Sequence, residues 1–345
     1  MLFNVCALYI KIMNNENQTI HKSDDNLTIY GWNEKLNQLK QESIYSTLAH
    51  GRVSIVHRTC YEVISGNGLF QCELTGNMMY GKSDDELPCT GDWVIFQPFD
   101  EHKGIIVDSL PRERTLYRKK SGTVADKQAI ASYVDKAFIV QSLDDNFNVR
   151  RVERFMVQIM EENISSVLVL NKADLDFDRQ SVEEQIKHIS SQIPVFFTSI
   201  HQLETIVRLR KSISEGETVV FVGSSGVGKS SLVNALCEKP VLLTSDISLS
   251  TGKGRHTSTR REMVLMDSSG VLIDTPGVRE FGLAIDNPDS LAEVLEISDY
   301  AELCRFKDCK HINEPGCAVI EAVNSGALDS KVYASYLKLR REAWH

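Results

Sequence analysis

The chain has 345 residues, too many for one compact core and enough for two or three domains. Hydrophobic residues make up 42% and charged residues 25%, as in ordinary globular proteins, and no apolar run approaches the roughly 20 residues that span a bilayer. A net charge of −9 argues against a surface that binds nucleic acid indiscriminately, although "RERTLYRKK" (Arg112 to Lys120) and "KLRR" (Lys338 to Arg341) are local basic patches.

The opening "MLFNVCALYI" is apolar but lacks the basic flank and small-residue cleavage site of a signal peptide, so a cytoplasmic location and no membrane partner are expected. Residues 1–44 form an N-terminal extension, partly disordered, with the polar run "NNENQTIHKSDDN" and a short helical pattern, "WNEKLNQLKQ". Over 45–112 the texture becomes short β-type runs: "RVSIVHR", "YEVIS", "LFQCELT", "DWVIFQPF" and "GIIVDSL". Turn signals separate them, and they predict a small closed barrel, SH3-like or OB-like. From 113 to 290, buried-type strands such as "KAFIVQSL" and "SSVLVLNKAD" alternate with helical segments such as "RRVERFMVQIMEEN". That alternation predicts a doubly wound α/β sheet. Residues 291–345 are again helical, interrupted by a cysteine cluster.

Two motifs in the α/β region stand in an unusual order. Gly223-Ser224-Ser225-Gly226-Val227-Gly228-Lys229-Ser230-Ser231 matches G-x-x-x-x-G-K-[ST], between a predicted strand and a predicted helix. Glycines let the backbone N–H groups of such a loop turn onto phosphates, Lys229 would reach the β/γ oxygens, and the Ser230 hydroxyl would bind Mg²⁺. Asp274 closes the strand "VLIDTPG", with Gly277 at the D-x-x-G spacing. Asp274 would hold the Mg²⁺ shell, and the Gly277 N–H would sense the γ-phosphate.

Asn171-Lys172-Ala173-Asp174 ends another strand, where α/β sheets place ligand loops. Asp174 can accept two hydrogen bonds from guanine that adenine does not offer, each worth about 1.5–3 kcal/mol. Ser199, in "FFTSI", stands where a backbone N–H would approach guanine O6. In an ordinary small GTPase the phosphate loop precedes the base reader; here it follows. The set is complete but rotated, which predicts a circularly permuted domain binding GTP and GDP. D-x-x-G then runs almost directly into the C-terminal segment, so loss of the γ-phosphate is expected to be felt there.

Val278 occupies the position where many GTPases carry a water-orienting glutamine, so intrinsic turnover should be slow. "SLSTGKGRHTSTRRE" offers substitutes: Thr257 or Thr259 for the Mg²⁺ shell and His256 to orient water, unless His256 is a solvated loop residue. Cys304, Cys309, His311 and Cys317 fall within 14 residues and suit a closed four-coordinate structural Zn²⁺ site. Tyr333, Tyr336, Lys338, Arg340 and Arg341 nearby could bind RNA or form a solvated helix face.

These motifs together resemble the RsgA (YjeQ/YloQ) family of ribosome-associated GTPases. The carriers are "GDWV", "DDNFNVRRVERF", "NKADL", "GSSGVGKSSLVNAL", "GRHTST", "DTPGVREFGL" and "CRFKDCKH" with "EPGCAV". The resemblance spans about residues 45–345. It implies an OB-fold barrel, a permuted P-loop GTPase domain and a small helical zinc domain. It further implies GTP hydrolysis stimulated by the small ribosomal subunit and its rRNA during late maturation, by a monomer. His256 matches the histidine of the family's G-R-H-T motif, whereas Ser258 replaces a usual threonine. The competing readings are a signalling or scaffold GTPase with a protein partner, and a small-molecule kinase, which NKAD disfavours.

Overall fold

Five strands, β1 (Ala49–Val56), β2 (Tyr61–Ser65), β3 (Gly68–Leu74), β4 (Trp93–Asp100) and β5 (Lys103–Ser109), close a barrel in the order β1-β2-β3-β5-β4-β1. The computed structural model describes residues 24–83, 85–119, 127–238, 240–242, 261–267, 270–275 and 288–343. Strict alternation along β2 turns Tyr61, Val63 and Ser65 inward, and Val53, Val63, Phe70, Val94, Phe96 and Ile106 fill the interior. Parallel pairing of β3 with β5 lets the last two strands close the cylinder.

The N-terminal extension gains a place. Asp24–Tyr30 forms a 3₁₀ turn and Glu34–Glu42 a helix, whose first turn is capped by Asn33 Oδ1 accepting from the Leu36 N–H at 3.1 Å. Leu27, Trp32 and Leu36 are buried against Trp93, Ile95 and Tyr133.

At this junction sits Arg52 of β1, only 1% exposed. Its Nε donates to Gly91 O at 3.0 Å, Nη1 to Tyr30 O and to Thr218 Oγ1 at 2.9 Å, and Nη2 to Tyr133 O at 3.4 Å. Its guanidinium also lies 5.5 Å from the Trp93 ring centroid. Burial pushes its pKa down to about 10, opposed chiefly by Asp135, so it stays charged at neutral pH.

The basic run after the barrel is not the exposed patch its composition suggests. Arg112 grips Asp92 through Nε (2.9 Å to Oδ1) and Nη2 (2.7 Å to Oδ2), and Asp92 is fully buried. Arg114 pairs with Asp135 at 3.0 Å and Arg118 donates to Gln128 at 2.9 Å. Within the run, β6 (Leu116–Lys119) pairs antiparallel with β7 (Lys127–Ala131), a hairpin that the charges concealed.

Beyond it lie β8 (Lys136–Ser142), β9 (Ser165–Asn171), β10 (Val195–Thr198), β11 (Thr218–Val222), β12 (Glu262–Leu265) and β13 (Val271–Asp274). They assemble in the order β10-β9-β8-β11-β13-β12, all parallel except β12. The chain enters mid-sheet at β8, travels out to β10, then crosses back to β11. The helix Leu203–Arg210 and the edge strand β12 escaped the sequence pattern. One β1–β12 pairing, Ile55 with Glu262, makes barrel and α/β sheet continuous.

The C-terminal helices, Pro288–Val294, Ser298–Ala301, Ala318–Ser325 and Ser330–Ala343, share a core with the α/β region. Leu291, Val294, Val332 and Leu339 join Val152, Phe155, Met156 and Ile159 of the helix Val149–Glu161 in one apolar cluster. Within that interface the buried Glu153 accepts from Ser335 Oγ at 2.7 Å and pairs with His188 Nε2 at 2.9 Å. Among the described residues no helix is long and apolar enough to cross a membrane.

Arg52→Ala strips donors from several carbonyls at a dry junction, so it should lower the thermal midpoint by about 5 °C or more. Differential scanning calorimetry of the full chain checks this.

Candidate functional site

The phosphate loop leaves β11, whose residues Thr218 to Val222 are all buried. Gly223 has φ +148°, and a Cβ there would lie 2.3 Å from Val140 O of β8. Gly228 has φ +93°, and a Cβ there would lie 2.4 Å from Asn171 Nδ2. Both glycines are therefore dictated by close packing as well as by left-handed geometry. Val227 is fully buried and anchors the loop in the core beside Leu232 and Val233 of the helix Lys229–Leu236. Ser225 is exposed and Ser231 half-buried, while the Ser224 hydroxyl is buried without a hydrogen-bond partner among the described residues.

The loop's two chemical residues have partners within the protein. Lys229 Nζ donates to Gly223 O at 2.8 Å and Ser224 O at 2.9 Å, and burial pushes its pKa down while Asp274 opposes that. Ser230 Oγ donates to Asp274 Oδ2 at 2.8 Å. Asp274 is 1% exposed and its Oδ1 has no hydrogen-bond partner among the described residues; burial pushes its pKa up against the Ser230 and Lys229 contributions. A buried carboxylate oxygen left unsatisfied beside a serine hydroxyl is the donor set that a hard divalent cation completes.

Asn171 and Asp174 play different parts. Asn171 is 3% exposed: its Nδ2 donates to Val227 O at 2.9 Å and its Oδ1 accepts from Thr198 Oγ1 at 3.3 Å. It staples the base-reading loop to the phosphate loop. Asp174 is exposed, with Oδ1 taking the Ser199 hydroxyl at 2.5 Å, a bond that holds its carboxyl below the usual carboxylate range. The Ser199 N–H, which the sequence places at guanine O6, donates instead to Thr205 Oγ1 at 3.0 Å. A base bound here would share or replace the Thr205 hydroxyl as the partner of this amide. Lys172 reaches Asp144, a partner the motif does not contain.

Cys304, Cys309, His311 and Cys317 place one donor atom each within 4.8 Å of one another. The Cys304 and Cys317 sulfurs lie 3.8 Å apart and each lies 3.4 Å from His311 Nδ1. Tetrahedral zinc with bonds of about 2.3 Å to sulfur and 2.0–2.1 Å to nitrogen requires edges of about 3.8 and 3.6 Å. Three N–H groups, of Lys310, Ile312 and Asn313, converge on the Glu314 carboxylate and fix the turn between ligands.

The aromatic and basic residues of the last helix brace this knuckle. Tyr333 OH donates to His311 O at 2.7 Å, Tyr336 is buried with its ring 5.8 Å from the His311 ring, and Arg340 donates to Tyr336 OH at 2.7 Å and Lys310 O at 3.1 Å. Lys338 and Arg341 remain exposed. Cys60, Cys72, Cys89 and Cys237 are buried free thiols. Cys6, His256, Thr257, Thr259, Gly277 and Val278 lie outside the described residues.

Gly228→Ala would drive a methyl into the Asn171 amide and break the staple to Val227 O. Guanine-nucleotide affinity should fall at least about tenfold, read by titration with a fluorescent GDP analogue.

Relatives share this arrangement. The model of the RsgA GTPase family matches residues 109–284. The chain is 74% identical over 333 residues to the small ribosomal subunit biogenesis GTPase RsgA 1 of Bacteroides thetaiotaomicron, covering 96% of this chain and 92% of the relative. It is 38% identical over 341 residues to the small ribosomal subunit biogenesis GTPase RsgA of Methanosarcina acetivorans, covering 96% and 90%. The crystal structure of YjeQ from Thermotoga maritima matches with a TM-score of 0.65 at 26% identity, over 86% of this chain and 98% of that one. YloQ, described as a circularly permuted GTPase, matches in fold with a TM-score of 0.62 at 22% identity, over 88% and 97%. Order of motifs, sheet topology and sequence agree, and the chain belongs to the RsgA GTPase family.

Proposed function

We propose that this chain is a GTP-hydrolysing factor that acts on the small ribosomal subunit and its rRNA during late maturation, as a cytoplasmic monomer. The observation that carries the enzymatic part is the Ser230–Asp274 contact with its unsatisfied carboxylate oxygen, set beside the loop that Asn171 joins to the base reader. The ribosomal part is supported by the names of the relatives, each a small ribosomal subunit biogenesis GTPase.

In this reading Asp174 selects guanine, and Gly223 to Ser231 wrap the phosphates. Lys229 exchanges its two loop carbonyls for phosphate oxygens. Ser230 and Asp274 would hold Mg²⁺, which when bound would neutralise charge on the β- and γ-phosphates. Thr257 or Thr259 would complete that shell, His256 would orient the attacking water, and the Gly277 N–H would sense the γ-phosphate. Cys304, Cys309, His311 and Cys317 would hold Zn²⁺ as a structural knuckle, all four ligand positions being filled by the protein. Residues 45–112, 113–290 and 291–345 form the barrel, GTPase and zinc units of this reading, after an extension over 1–44.

GTP turnover by the purified protein should be slow alone and rise by at least about tenfold with small ribosomal subunits but not large ones. Turnover indifferent to both would discard the ribosomal role and point to a protein activator. The protein as purified should carry a single Zn²⁺, measured by elemental analysis. Cys309→Ser should lose it and lower protection from hydrogen exchange across 304–340.

A further inference from the structure

Within the Asn171–Asp174 tetrad, the Lys172 side chain reaches the turn after β8. Lys172 has φ +61°, and its Nζ donates to Asp144 Oδ2 at 2.8 Å. Asp144 lies in the turn after β8 and is set before the lysine reaches it: Oδ1 accepts from Ser142 Oγ at 2.7 Å and from the Asn146 N–H at 3.0 Å. Against partial desolvation, the bonds from Lys172, Ser142 and Asn146 hold the Asp144 carboxyl at about 2, so it is ionised at any working pH.

The two side chains are 36% and 31% exposed, and ion pairs at such exposure add little to folding. What the arrangement supplies is direction. A lysine carries four flexible methylenes, and here they are held by a carboxylate that the Ser142 hydroxyl and the Asn146 N–H already orient. Asp174 takes no part, since its tether is Ser199 on another loop.

We propose that Asp144 is a positioning residue for guanine recognition: by anchoring the Lys172 ammonium it lays the lysine stem as a flat apolar support for the purine face, while Asp174 reads the purine edge. The inference rests on the base-reading assignment made above. Asp144→Asn suits the test, because the Asn oxygen can keep the Ser142 and Asn146 bonds while its NH₂ faces the lysine and removes the anchor.

Fluorescent GDP binding and dissociation would be measured on the full chain for the wild type, Asp144→Asn, Lys172→Met, the double variant and Asp174→Asn. Asp144→Asn should bind about tenfold more weakly, mainly through faster dissociation. KM for GTP should rise by more than kcat falls, and the thermal midpoint should hardly move. In the Lys172→Met background, Asp144→Asn should have no further effect. Wild-type affinity in Asp144→Asn, an equal loss with and without Lys172, or a loss that tracks a falling midpoint would each overturn the proposal. Asp174→Asn tests the underlying assignment separately: if it still prefers guanine over xanthine nucleotides, the base reader is misassigned, whatever Asp144 does.

Discussion

A single buried guanidinium holds the molecule's parts in register. Arg52 belongs to the barrel, yet its acceptors come from the N-terminal segment (Tyr30), the barrel (Gly91), the turn before β8 (Tyr133) and the first residue of β11 (Thr218). A charge buried to this degree is tolerable only when its donors are satisfied, so these four segments must meet in one geometry. Thr218 opens the strand that ends in the phosphate loop. The barrel is thereby fixed to the root of the nucleotide site, and Arg112 with Asp92 repeats the device one turn away.

The rotated motif order is physically undemanding. A parallel sheet is held by hydrogen bonds between neighbours and by apolar faces, neither of which depends on where the chain is cut. Here β8, β9 and β11 lie side by side with their C-terminal ends together, so Asn171 can bond to Val227, 56 residues away, as readily as in an unpermuted chain. What the cut changes is attachment. The strand that ends in Asp274 is followed by helices whose apolar residues cover the helix Val149–Glu161, and Ser335 shares Glu153 with His188. The metal knuckle is braced by that same final helix through Tyr333 and Tyr336, which makes it a strut between knuckle and nucleotide-binding sheet.

Legibility in the sequence followed the range of the interactions. The phosphate loop and the cysteine cluster are readable because their chemistry is written in consecutive or nearly consecutive residues, and the barrel because five short β-type runs are separated by turn signals. Asp144 and Lys172 are 28 residues apart, and nothing local marks them as partners. Arg112 and Arg114 read as surface charge because their partners, Asp92 and Asp135, are distant in sequence, and composition cannot see such pairs. Tyr336 and Arg340 read either as a surface for RNA or as a solvated helix face, and the fold sets them against His311 and Lys310. The Thr205 hydroxyl that takes the Ser199 amide lies six residues on, and no motif in the sequence marks it.

The separation of 166 residues between Arg52 and Thr218 also has a meaning in time. During synthesis at about 5–20 residues per second, the last barrel residue, Ser109, is made roughly 5 to 20 seconds before Thr218. Through that interval the guanidinium donor that Thr218 will take is satisfied by water, and the barrel's junction face stays wet. Closure of the junction is thus deferred until the central strand of the nucleotide-binding sheet exists, and the newly made chain dries its first domain last.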